Sequence, residues 1–311
     1  MLVIKGKVRY NRHMTKNTQT CNNCGNKFTP KKDDIFSHKI ICGDARDDKI
    51  ISKLMGDKKA GMIFCDPPFN VKIDGHVSGL GKEKHEEFEM ASGEMSESEF
   101  IEFLTQSFQI LKEFSKNGSI HYICMDWRHI YEIITAGKAV YDEFKNLCVW
   151  NKDNGGMGTF YRSKHELVFV FKNGTEKHIN NFGLGETGRY RTNIWDYPAA
   201  NSFANESREK LKTASGRVVA GQSEEIKLHP TCKPVAMVSD AILDCSNEKD
   251  IILDSYLGSG TTLISAHKTG RIGYGSEISP AYVDTSIIRF MKLTGQKVIH
   301  ADTGEEFQYN Q

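Results

Sequence analysis

At 311 residues, with a formal net charge of +1, 26% charged and 39% hydrophobic residues, the chain has the composition of a soluble globular protein long enough to bury a full core. No apolar run approaches the roughly 18 residues of a membrane span, the opening text MLVIKGKVRYNRHMTKNTQT lacks a signal-peptide core, and near-neutral charge means that nucleic acid could be bound only through local basic patches. The eight cysteines are scattered and form no disulfide framework, which fits a reducing cytoplasm.

Residues 1–36 are polar and lysine-rich and read as a small N-terminal appendage. Cys21 and Cys24 have the spacing of half a zinc knuckle. A structural zinc needs four ligands, and only His38 and Cys42, both on an expected core strand, could complete the set, so no metal is assigned. From residue 37 to 172, short apolar runs alternate with helical patterns: strands at Lys39–Cys42 and Gly61–Cys65, with a helix at Asp48–Met55 between them. The glycine-rich polar stretch Asn70–Ser96 has no periodicity and reads as a functional loop. Ser96, with Glu99 three residues on, then opens a long amphipathic helix. A strand at Gly118–Asp126, a helix from Ile130 and strands in NLCVWNK and ELVFVFKNG follow. Residues 173–228 lapse into irregular text rich in Arg, Lys, Asn and Gly and read as an insert. In 229–311 the pattern returns: helix Val235–Cys245, strand DIILD, a glycine turn, a helix from Thr261, strand RIGYGSE and helix Pro280–Leu293. Such alternation predicts an α/β fold with a largely parallel sheet covered on both faces.

Two strand ends carry the chemistry. In MIFCDPPFN (Met62–Asn70) an apolar run stops at an acid, two prolines and an aromatic ring. This is either a structural stop or a rigid display of Asp66 and Phe69 at a pocket mouth. In ILDSYLGSGTTLISAH (Ile252–His267) a strand ends at Asp254, a turn carries Gly258 and Gly260, and a helix begins near Thr261. Glycines admit close backbone approach and a helix start offers free N–H groups. Glu277, about 20 residues on at the next strand end, suits the two hydroxyls of a ribose. The turn could equally be a tight connection without ligand. Gly-x-Gly-Thr-Thr is neither the dinucleotide fingerprint nor the Walker pattern, which favours a nucleoside ligand without phosphates. In an open parallel sheet, ligands bind beyond the carboxyl ends of strands where strand order reverses, so one fold can bring the two stretches together.

With these motifs the sequence resembles the S-adenosylmethionine-dependent amino-methyltransferases of DNA. DPPF matches their catalytic motif, DSYLGSGTT the cofactor loop, GSEISPAYVD the ribose-binding acid, HPTCKP the element before the cofactor helix, and CGDARD a strand end beside the cofactor adenine. The resemblance spans about His38 to Leu293. Its catalytic-first order is similar to the beta group, implying a Rossmann-like fold, a circularly permuted motif order and an inserted recognition region. Tyr256 stands where phenylalanine is usual and Cys232 where glutamine is common.

The resemblance implies that Asp66 and the Pro67 carbonyl accept hydrogen bonds from a base amine and free its lone pair. Pro67 and Pro68 would stiffen the acceptors. The amine is unreachable inside a duplex, so the nucleotide must flip out, and Phe69 would stack on it. A strand-ending turn with Phe69 in the core is the structural alternative. Aspartate as first residue favours adenine over cytosine. Cofactor contacts carried over are Asp44, Thr231, Lys233, Asp254, Tyr256, Gly258, Ser259, Gly260, Thr261 and Glu277, with Thr231 and Lys233 meeting the methionine carboxylate. Asp44 could instead cap a helix, and Lys233 could be a solvated lysine. Expected double-stranded DNA contacts are Arg189, Arg191 and Arg208 in the insert, with Lys72, His76, Arg162 and Lys164 on glycine-rich loops. Dimerisation, frequent in the resembled group, carries over by analogy as a homodimer. The rivals are a cytosine-N4 enzyme, a catalytically silent DNA-binding module, and an RNA or protein-glutamine methyltransferase, which commonly carries Asn-Pro-Pro-Tyr.

Overall fold

All six residues of the strand Ala60–Cys65 are buried, which requires cover on both faces of its sheet. The computed structural model of the chain describes residues 1–7, 19–20, 27–28, 35–71, 90–155, 160–199, 211–212, 218–219 and 232–308. In chain order the elements are β1 (Leu2–Lys7), β2 (Gln19–Thr20), β3 (Lys27–Phe28), β4 (Ile35–Cys42), α1 (Asp48–Met55), β5 (Ala60–Cys65), α2 (Glu97–Glu113), β6 (Ser115–Met125), α3 (Ile130–Val140), β7 (Glu143–Asn151) and β8 (His165–Lys172). They continue with β9 (Ile194–Asp196), β10 (Leu211–Lys212), β11 (Val218–Val219), α4 (Val235–Cys245), β12 (Ile251–Asp254), α5 (Thr261–Lys268), β13 (Ile272–Glu277), α6 (Pro280–Thr294) and β14 (Val298–His300).

Ten strands form one sheet in the order β14-β1-β4-β13-β12-β5-β6-β8-β7-β9, while β2–β3 and β10–β11 are separate two-residue ribbons. The five central strands β4, β13, β12, β5 and β6 are parallel. Only β1 and β8 run against the rest of the sheet. β12 pairs with β5 through Ile252↔Met62 and Leu253↔Ile63. From β5 the chain proceeds outward to β6, and from β12 it proceeds outward the other way to β13. Strand order therefore reverses between these two neighbours, where a doubly wound sheet opens its crevice.

Period-two alternation sends β5 side chains to opposite faces. Ile63 and Cys65 join Ile51, Leu54, Phe100, Phe103, Phe108 and Phe171 under α1, α2 and α3. Met62 and Phe64 join Tyr122, Trp150, Val168, Met237 and Ile242 under α4. A third cluster, including Leu263, Ile287 and Phe290, seats α5 and α6. The capping box at Ser96 and Glu99 is formed as the text predicts: each side chain bonds to the other's backbone N–H.

Two expectations need correction. Residues 1–36 are not all an appendage: β1 pairs with β4 from Leu2↔Ile40 to Lys7↔Ile35 and with β14 on its other side, and β4 begins at Ile35, inside the expected boundary. The stretch 173–228 is not wholly an insert either, because β9 extends the sheet beside β7. His38 is closed to zinc: fully buried, it accepts from the Gly273 N–H at 2.9 Å and meets His267 at 3.2 Å. Cys21 and Cys24 lie outside the described residues. No helix among the described residues is long and apolar enough to cross a membrane.

Burial of Leu2 alone is worth roughly 1.5–3 kcal/mol. A chain starting at residue 8 should therefore lose at least that much stability in urea denaturation, whereas removing a dangling tail would leave the midpoint unchanged.

Candidate active site

Each of the five central parallel strands runs at its carboxyl end into an acid: Asp44 after β4, Glu277 on β13, Asp254 on β12, Asp66 after β5 and Asp126 after β6. Two of them build the glycine turn. Asp254 accepts from the Tyr256 N–H at 3.0 Å and the Thr262 hydroxyl at 2.6 Å, and burial pushes its carboxyl up to about 7. Glu277 accepts from the N–H of Gly258 at 2.8 Å and of Ser279 at 3.0 Å. Gly260, at φ 82°, is left-handed and caps α5 without a side-chain acceptor; a Cβ there would meet Ser286 at 3.0 Å. The side chains of the turn serve the fold: Ser259 meets Cys232 at 3.0 Å, Arg289 donates to Thr261 at 2.9 Å, and the Tyr256 hydroxyl meets Ser107 at 2.7 Å. Asp44 does not cap α1, which is Asp47's role. It takes the Arg46 N–H at 2.8 Å and its guanidinium at 2.7 Å. Burial raises the Asp44 carboxyl, but those bonds outweigh it and hold it low.

The residues suit an adenosine-bearing methyl donor. The glycine turn approaches the crevice through backbone, the first turn of α5 lacks a side-chain cap, and Glu277 ends the neighbouring strand β13 with its carboxylate against the turn.

Across the switch point stands Asp66. Cys65 Sγ lies 3.7 Å from the Ser255 hydroxyl, which joins the two strand ends directly. Asp66 Oδ2 receives the Lys233 ammonium at 2.5 Å, while Oδ1 is buried and accepts no hydrogen bond from the described residues. Lys233 also lies 2.8 Å from Glu166, whose other oxygen takes Lys152 at 3.1 Å. Lys233 was expected on a methionine carboxylate. The structure commits it to two protein carboxylates instead, and the ammonium also sits 5.4 Å from the Phe69 ring centroid. Burial raises the Asp66 carboxyl against the pull of Lys233. Burial also raises Glu166, but Lys233 and Lys152 together hold it low. Pro67 is buried and Phe69 partly so, packed against the clusters on both sheet faces. Asn70, at φ 53°, closes the motif: its side chain bonds Gly93 at 3.0 Å and the Met95 carbonyl at 2.8 Å, tying together both ends of the glycine-rich loop.

Residues 60–288 match the family model described as DNA methylase. The chain belongs to the S-adenosylmethionine-dependent DNA amino-methyltransferases. This methylase is 25% identical over 281 residues to the type II methyltransferase M.HinfI of Haemophilus influenzae, covering 83% of the chain and 69% of that protein. It is 28% identical over 252 residues to M2.MboI of Moraxella bovis, covering 76% and 83%. Among solved structures it shares its fold with the cytosine-N4-specific PvuII DNA methyltransferase (TM-score 0.58, 14% identity, 81% and 85% covered) and with M1.HpyAVI bound to SAM (0.54, 19%, 81% and 98%).

Two of the methylase's expected DNA contacts are turned inward. Arg189 donates to Asp244 at 2.6 Å, and Arg191 reaches the same carboxylate at 2.8 Å and the Tyr197 hydroxyl at 3.2 Å. Arg191 is buried at its side chain and Arg189 largely so, and together they brace residues 189–191 against α4. Arg162 and Lys164 are exposed on the β7–β8 connection, at the carboxyl edge. Lys72, His76, Arg208 and Thr231 lie outside the described residues. The remainder of the insert leaves at Ala199, whose N–H bonds Asp153 at 3.0 Å, and returns at Cys232 beside the glycine turn. Both of its anchors are therefore on the same edge as Asp66. Sequence reasoning missed Glu166, Asn70 and Asp126. Asp126 is legible in retrospect as the last acid of an apolar strand, and it binds His129 at 2.9 Å and Arg128 at 2.8 Å.

Asp244→Ala should cost about 3–5 kcal/mol, the range for stranding buried charge, read by urea denaturation. Stronger DNA binding with unchanged stability would instead return Arg189 and Arg191 to the DNA.

Proposed function

We propose that the chain is a site-specific methyltransferase that modifies the N6 amine of a flipped adenine in double-stranded DNA, in the manner of the type II relatives it resembles. The observation that carries this reading is Asp66 Oδ1, a buried acceptor without a partner among the described residues, held beside the glycine turn by the pairing of β5 with β12. S-adenosylmethionine supplies an electrophilic methyl group. A base amine is a poor nucleophile because its lone pair is delocalised into the ring. Hydrogen bonds to Asp66 Oδ1 and the Pro67 carbonyl localise that pair, and rigid in-line placement at about 3–3.5 Å supplies much of the acceleration. Phe69 stacks on the flipped base, which returns roughly 1–3 kcal/mol. Glu277 takes the ribose hydroxyls, Asp44 lies toward the adenine, and the backbone from Gly258 to Thr261, with Thr231, surrounds the methionine moiety. Arg162, Lys164, Lys72, His76 and Arg208 contact DNA.

Aspartate at the head of the motif supports adenine, while the fold is shared with a cytosine-N4 enzyme and is neutral on this point. Nucleoside mass spectrometry of DNA treated with the protein should show N6-methyladenine; N4-methylcytosine would transfer the same chemistry to the other base, and no modified base would leave a DNA-binding module. Asp66→Ala should abolish transfer with donor affinity changed no more than a few-fold, measured by calorimetry. Equal loss of both would remove the role given to Asp66. Phe69→Ala should weaken DNA capture by about 5- to 150-fold, the equivalent of the stacking energy, and unchanged DNA affinity would place the ring in the core alone.

A further inference from the structure

Resting on the reading that Asp66 faces the target amine, we infer that Glu166 is a positioning residue: it balances the charge of Lys233, so that Asp66 can take the proton the amine releases. Three separate elements converge to make this arrangement. Asp66 follows β5, Glu166 begins the buried part of the antiparallel strand β8, whose N-terminal end reaches the same edge, and Lys233 precedes α4. The ammonium of Lys233, whose side chain is 6% exposed, lies 2.5 Å from Asp66 Oδ2 and 2.8 Å from Glu166 Oε1. Asp66, Cys124 and Glu166 offer ligand atoms within 4.8 Å of one another, as in a metal site, and the cation between the two carboxylates is the lysine's own.

The charge count explains the second acid. In methyl transfer the amine lone pair forms the N–C bond, the C–S bond breaks with its electrons left on sulfur, and one amine proton has to leave. If Asp66 were the only counter-ion of Lys233, accepting that proton would strand a buried ammonium, and the carboxylate would be held ionised and weakly basic. With Glu166 present, a protonated Asp66 still leaves the buried Lys233 ammonium a carboxylate partner, while Lys152, the second cation on Glu166, is 25% exposed and partly solvated. Lys152, 3.1 Å from the far oxygen of Glu166, keeps that acid ionised throughout. The Lys233 grip on Oδ2 also leaves Oδ1, which has no partner among the described residues, as the oxygen to accept from the amine. The other groups facing Asp66 are Cys65 and Cys124, whose thiols burial pushes well up and keeps neutral, and Asp254, raised by burial to about 7. Burial raises Asp66 and Glu166 raises it further, against Lys233 and, more weakly, Lys152.

Two substitutions move the balance oppositely. Glu166→Gln leaves Lys233 to Asp66 alone and lowers the acid limb of the single-turnover rate against pH. Lys233→Met sets two carboxylates side by side and raises it. Each shift should be about 1–3 pH units, with Glu166→Asp restoring the wild-type limb. Carboxyl ¹³C titration of the ligand-free protein, with Asp66→Asn identifying the resonance, should show the same opposed shifts without any turnover. Limbs that stay put or move together, or an Asp66 resonance that titrates alike in both variants, would overturn the inference. If Glu166→Gln fails to fold, Lys233→Met and Glu166→Asp still decide it. If wild type transfers no methyl to DNA, the functional reading fails, and the carboxyl titration still decides the charge balance.

Discussion

The pairing of two short parallel strands, β5 with β12, is the constraint on which the site depends. A register of Ile252↔Met62 and Leu253↔Ile63 places Asp66 and the glycine turn at the same height on the same edge, though they lie far apart in the chain. The prolines after Asp66 stop the strand and fix its backbone, and the turn after Asp254 is clamped by Thr262 and by Glu277 from the next strand. A slip of one residue would turn every side chain of a strand to the opposite face. It would send Met62 and Phe64 into the wrong cluster, so the core enforces the geometry that the chemistry uses.

Electrostatics at this edge are arranged by burial as much as by pairing. Five acids gather at the carboxyl ends of the central strands, yet each has a separate task because each meets different donors. Asp254 and Glu277 shape the turn, Asp44 is held ionised by Arg46, and Asp126 is taken by Arg128 and His129. Of the five, Asp66 combines a raised carboxyl with an oxygen that has no partner among the described residues. The segment between Ala199 and Cys232 leaves and rejoins the fold at the edge that carries that group.

Much of this was legible in the sequence because local rules and tertiary packing agree. Helices α1 and α4 have the limits that apolar periodicity assigns, and DPPF and the glycine turn stand at strand ends as their residues require. Reading failed where the deciding partner is distant. LVIKGK looks like a polar tail because its pairing partners begin more than 30 residues later and near the far end of the chain. Arginines interleaved with Tyr and Trp look like a DNA surface, yet Arg189 and Arg191 answer Asp240 and Asp244, two acids one turn apart on α4. Lys233 looks like a ligand for an anionic cofactor group, but its anions are Asp66 and Glu166, and the latter is only the first acid before an apolar run.

The most direct test of the central claim is a crystal structure of the protein with its DNA and a non-transferable analogue of the methyl donor. The account predicts the analogue between Gly258–Thr261 and Glu277, with the extruded base amine within about 3.2 Å of Asp66 Oδ1. A donor bound at the opposite edge of the sheet, or a base amine whose hydrogen bonds go to groups other than Asp66, would contradict it.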